Sequence, residues 1–204
     1  MTERNTLAHA MHDLGLAAWF GGSLMGAIGV NGAAADVDDP RQRARVANAG
    51  WARWTPFNAL AIGAHLVGGA QLLKANKGRV ATQQGVLANT NLKMALTAGA
   101  LAATGYARVL GKKMQKAGDV PVAGGTNSTA STPPEVAKAQ KQLNALQWAI
   151  PGLTGAMLAS SSLHEEQQRT TEVFKGTLAA LPGRAAAAAA GTAGVVGAKV
   201  KDIA

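Results

Sequence analysis

Uncharged stretches recur along this chain, and charged loops separate them. Leu14 to Ala35 runs 22 residues without a charge, Trp54 to Leu73 runs 20 and Gln142 to His164 runs 23, against the ~20 residues that span a ~30 Å hydrocarbon core. A further stretch, Met94 to Ala107, is 14 residues between Lys93 and Arg108. Both flanking cations can snorkel, and Val109, Leu110 and Gly111 prolong the apolar run. The pattern predicts an all-α chain, an integral membrane four-helix bundle with spans at about 14–35, 55–73, 92–111 and 143–163, because a bilayer leaves helices as the main way to satisfy the backbone of such segments. Residues 1–164 form the transmembrane domain, and residues 165–204 form a tail that is polar at first and then Ala/Gly-rich.

Local signals place the element ends. Asp36 to Arg53 reads as a charged loop, with Trp51 and Trp54 at the depth where indoles prefer to sit. Thr55 as N-cap and Pro56 at the first helical position predict the start of the second helix. Residues 118–134 are rich in Gly, Ser, Thr and Pro and read as a linker. Thr132, Pro133 and Glu135 then supply an N-cap, a first-turn proline and a capping-box acid for the last helix, which Pro151 should kink near Gln147. The first span carries no clear small-residue cleavage site and is expected to be retained. Ala185 to Val200 is too weakly hydrophobic for a fifth span.

Composition changes the picture in three ways. The chain holds 45 Ala and 25 Gly, so its spans favour burial against other helices over full exposure to lipid. Gly15, Gly22 and Gly29 repeat every seven residues and Gly26 joins them, which puts a glycine stripe on one face of the first helix and predicts a helix packed against it. The net charge of +9 sits in loops beside apolar spans, where it suits anionic lipid headgroups better than nucleic acid. Cysteine is absent, so thiolate metal centres and disulfides are excluded. The 20 Lys and Arg divide evenly between the two sides of a four-span topology, so the positive-inside rule assigns no orientation.

Histidine carries most of the remaining candidate chemistry. His65 falls near the middle of the second span, among Gly63, Gly68 and Gly69. An ionisable group there usually faces a bundle interior or a bound molecule; a hydrogen bond to Asn144, Gln147 or a hydroxyl of another span is the ordinary alternative. His12 stands at the mouth of the first span beside Asp13, His9 lies one turn earlier, and His164 ends the fourth span. The stretch His12 to Gly22, with Trp19-Phe20-Gly21-Gly22, resembles the first helix of small bacterial haem-associated and copper-resistance D-type membrane proteins. The resemblance covers eleven residues; it implies haem b at His12, with His65 as a second candidate ligand, while the further arginine and tyrosine elements of the haem-dependent protoporphyrinogen oxidases are not found.

No phosphate loop, zinc-protease helix, paired intramembrane carboxylates or Ser-His-Asp set can be assembled, so no catalytic or metal residues are assigned. The leading expectation is a non-enzymatic accessory, scaffold or assembly subunit of a larger complex, a respiratory complex being one candidate, in the bacterial cytoplasmic (inner) membrane. Its partners are other membrane subunits and lipid, and it carries no cofactor. The alternative is a haem-b-binding redox protein. A small transporter ranks third, weakened by the lack of intramembrane Asp and Glu.

Overall fold

The computed structural model describes residues 5–82 and 86–166. Among the described residues the regular elements are all helices: α1 (Thr6–Met25) continues through a π turn (Gly26–Val30) into α2 (Asn31–Ala35), and α3 (Pro40–Ala75), α4 (Lys77–Thr82), α5 (Val86–Ala117) and α6 (Pro134–Glu166) follow. At 1.5 Å rise per residue, α3 at 36 residues is about 54 Å long. That exceeds a ~30 Å hydrocarbon core, so the helix overhangs any span it contains.

The start of α3 corrects the expectation from Thr55 and Pro56. The helix begins sixteen residues earlier, where Asp39 accepts a hydrogen bond from the Arg41 amide at 2.9 Å and Pro40 occupies the first turn. Asp39-Pro40 and Thr55-Pro56 share the same sequence grammar, and the first is the one used. Pro56 lies inside the helix, where it removes the hydrogen bond to the Ala52 carbonyl; Thr55 turns its hydroxyl back onto the Trp51 carbonyl at 2.8 Å instead of capping a helix. The Arg41 amide, and then the Gln42 side chain at 3.1 Å, hold the Asp39 carboxyl below its ordinary value.

Of residues 118–134, expected as a linker, 118–133 form a cap over the α2–α3 corner and Pro134 already opens α6. The Val122 amide donates to the Pro40 carbonyl at 3.1 Å, and Arg43 donates to Val37 and Ala123 carbonyls at 2.7 and 3.2 Å. Gln140, fully buried on α6, donates to the Gly124 carbonyl at 3.0 Å. Val122 and Ser128 form an isolated antiparallel bridge. Gly125 packs so closely on Asn31 and Ala47 that a Cβ there would lie 2.7 Å from Asn31 Oδ1. Thr132 does not cap α6: its hydroxyl donates to the Pro121 carbonyl at 2.7 Å and accepts from the Thr129 amide at 2.8 Å. Glu135 closes no capping box, since Lys113 Nζ lies 3.0 Å from its carboxylate and holds that carboxyl below its ordinary value.

α1 packs most extensively on α3, and α5 on α6, while α6 also crosses α1. Between them lies a core of Leu16, Trp19, Ala100, Ala103, Ile150 and Met157. Trp19 is fully enclosed and donates through Nε1 to Thr104 Oγ1 at 3.2 Å. Leu110, Met114, Val136, Ala139 and Leu143 form a second cluster under the cap.

Among the described residues one helical rod, Thr6–Ala35, is long and apolar enough to cross a membrane, with a mean hydropathy of 1.3. α3, α5 and α6 fall short of the same hydropathy because Ala, Gly, Thr, Asn and Gln interrupt their Leu, Ile and Val. The tail expected at 165–204 lies outside the described residues apart from the end of α6.

Candidate functional site

The α1–α3 crossing is built from one short pattern used twice. His12-Asp13-Leu14-Gly15 lies on α1 and His65-Leu66-Val67-Gly68 on α3. Each glycine lies under the backbone of the other helix's histidine. A Cβ on Gly15 would sit 2.5 Å from the Ala61 oxygen and 2.6 Å from the His65 nitrogen. On Gly68 it would sit 2.5 Å from the Ala8 oxygen and 2.6 Å from the His12 nitrogen. The crossing therefore has an approximate two-fold relation, and backbone meets backbone at both glycines.

This approach ties the histidines to each other. His12 Nδ1 donates to the His65 carbonyl at 3.1 Å, and His65 Nδ1 donates to the His12 carbonyl at 3.1 Å. The rings stack with centroids 4.2 Å apart and planes 21° from parallel, and Trp19 meets His65 edge-on at 6.2 Å. A carbonyl can only accept, so the partner fixes the proton on each Nδ1. In the neutral imidazole, Nε2 is then left as an acceptor or ligand atom.

Both rings line a cavity of about 420 Å³, within the usual range for small-molecule sites. His9 and Asp13 add polar edges from α1, Thr90 and Lys93 from α5, and the remaining wall is mostly leucine, alanine and methionine. His65 is 3 % exposed. Its Nε2 is not among the enclosed polar atoms that lack partners, and no hydrogen bond is made by it among the described residues. With Nδ1 committed, Nε2 is the acceptor that the ring has left for a molecule in the cavity.

The residues singled out from sequence distribute as follows. His12 and His65, treated there as separate candidates, stand face to face. His65 does not pair with Asn144 or Gln147: Gln147 Oε1 accepts from Asn31, whose own Oδ1 accepts from Trp51 Nε1 at 3.1 Å. His9 lines the cavity, and the His164 side chain lies outside the described residues. Along the glycine stripe, Gly15 meets the α3 backbone, Gly22 and Gly26 meet the indoles of Trp54 and Trp51, and Gly29 meets Met25 of its own turn. Of the three glycines noted around His65, Gly68 is the one that admits the α1 backbone, and it completes a His-x-x-Gly spacing shared with His12 and Gly15. Among the described residues no three His, Asp or Glu side chains gather into a group that could hold a metal ion.

No family model matches the chain, and neither a curated protein nor a solved structure is significantly similar to it.

Proposed function

We propose that this chain is a non-enzymatic, four-span protein of the bacterial cytoplasmic membrane, and that it serves as an accessory or assembly subunit of a larger membrane complex. The observation that carries the membrane part is the row of large apolar side chains on the outer surface, with polar side chains among those buried between the helices. Large apolar residues point outward, among them Ile28, Phe57, Val109, Trp148 and Leu60, the last 72 % exposed. His65, Asn89, Gln140, Gln147, Thr154 and Ser160 are buried. Lipid accepts such apolar side chains on the outside and leaves polar ones to pair between helices. Of the apolar window in Thr6–Ala35, 28 % is buried, far less than the core helix of a water-soluble protein would bury.

The partner part rests on small residues facing outward. Ala145, Ala149, Gly152, Ala156 and Ala159 are all exposed on α6, and Ala95, Ala98, Gly99, Ala102 and Gly105 on α5. Such surfaces partition weakly into lipid but let another helix approach closely. Alkaline carbonate should leave the protein in the membrane pellet and detergent should release it; release by carbonate would overturn the membrane reading. Native electrophoresis in mild detergent tests the partner: migration as a bare 20.6 kDa chain would overturn it.

The second reading, a haem-b-binding redox protein, draws support from two histidines facing one cavity. Both cannot be trans ligands of one iron in this geometry. Metal–nitrogen bonds of ~2.0 Å on each side place trans imidazole centres about 6 Å apart, against the 4.2 Å stack. One histidine alone could hold the group through Nε2. Bound haem would supply redox chemistry, and this chain would contribute one Nε2 and the apolar wall. A colourless, folded preparation from haem-replete cells would exclude it.

A further inference from the structure

We infer that the cavity under the paired histidines binds a membrane-soluble molecule with a hydroxyl-bearing aromatic head and an apolar tail, of the long-chain hydroquinone or phenol class. The inference goes beyond the accessory role proposed above. It begins with the direction of hydrogen bonding. Each Nδ1 is committed to the opposite carbonyl at 3.1 Å, so neutral rings offer Nε2 to the cavity as acceptors. The ligand must bring the donors. A hydroxyl does so, whereas a group with oxygen acceptors and no hydrogen leaves both nitrogens unpaired, which is costly in an apolar pocket.

The size and walls narrow the class further. About 420 Å³ accommodates one substituted ring with part of a chain. The stacked imidazoles set two ring edges side by side in the cavity wall, so the ring nitrogens of both can face one polar head. Leu66, Leu73 and Met94 line the cavity and are also 40–50 % exposed at its rim. That apolar rim gives a tail a path from the head to the outer surface of the bundle. A water-soluble ligand would gain nothing from it.

The test uses the full chain in lipid nanodiscs under anaerobic conditions. Decylhydroquinone is titrated while tryptophan emission is followed, and its dimethyl ether, which keeps size and tail but has no donor, serves as the comparison. The expected result is saturable binding of decylhydroquinone and at least tenfold weaker binding of the ether. Met94→Trp fills the rim without touching the crossing and should remove binding with helicity unchanged. His65→Phe keeps a stacked ring without Nε2 and should also lose binding. Absence of saturable binding, equal binding of the ether, or full binding by folded Met94→Trp would each overturn the proposal.

Discussion

Replacing Gly68 by alanine adds one methyl at the place where α1 and α3 touch through their backbones. The new Cβ would lie 2.5 Å from the Ala8 oxygen and 2.6 Å from the His12 nitrogen, whereas ordinary contacts of that kind begin near 3.4 Å. Neither neighbour is a side chain that can swing away, so the helices must separate by roughly 1 Å, the kind of overpacking that costs about 1–3 kcal/mol. The same movement lengthens both 3.1 Å histidine–carbonyl bonds, each worth about 1 kcal/mol. Alanine recovers up to about 1 kcal/mol of helix propensity. The net loss should therefore be about 2–4 kcal/mol. Gly63→Ala is the matched control, since it lies on the same helix and its added Cβ meets nothing within 4 Å. Thermal unfolding followed by circular dichroism in one detergent should show Gly68→Ala clearly destabilised and Gly63→Ala unchanged or slightly stabilised. Equal behaviour of the two variants would refute the backbone-on-backbone crossing.

Other consequences follow from single features of the fold. Trp19→Ala should cost about 3–5 kcal/mol by emptying a fully enclosed site, while Trp148→Ala on the outer surface should leave detergent stability near that of the parent. Gln147→Leu strips the acceptor from half-buried Asn31 Nδ2 and should destabilise by about 0.5–1.5 kcal/mol, measurable as a lower melting temperature. The lowered carboxyls of Asp39 and Glu135 contribute stability that is present above the ordinary carboxylate range and is lost as pH falls through their depressed values. Accordingly, Asp39→Asn with Glu135→Gln should flatten the fall in melting temperature between neutral and acid pH.

The sequence made helix content legible because uncharged runs survive as the central parts of the long helices. It did not make helix ends legible. Pro56 gave a start signal that lost to Asp39-Pro40, because a mid-helix proline costs one hydrogen bond while the continuous α3 keeps Trp51 and Trp54 against Gly26 and Gly22. The fold of residues 118–133 was hidden for a different reason: its bonds run to Pro40, Arg43 and Gln140, distant in the chain. At the site, His12 and His65 were each visible as candidates. Their pairing was not, because it depends on two glycines that admit the opposite backbone. Reading His-x-x-Gly as a repeat would have linked the two helices before any coordinates.

The four-span reading is tested most directly by labelling, which the cysteine-free chain makes simple. Single cysteines at Ile28, Leu60, Val109 and Trp148, on the outward faces of the four long helical segments, are compared with cysteines at Arg45 and Ser131 near the cap. Each variant is treated with a maleimide in membranes opened to both sides, before and after denaturation. The account predicts that the four outward apolar positions stay unlabelled until denaturation, while Arg45→Cys and Ser131→Cys react at once. Rapid labelling of Leu60→Cys and Val109→Cys in intact membranes would contradict it.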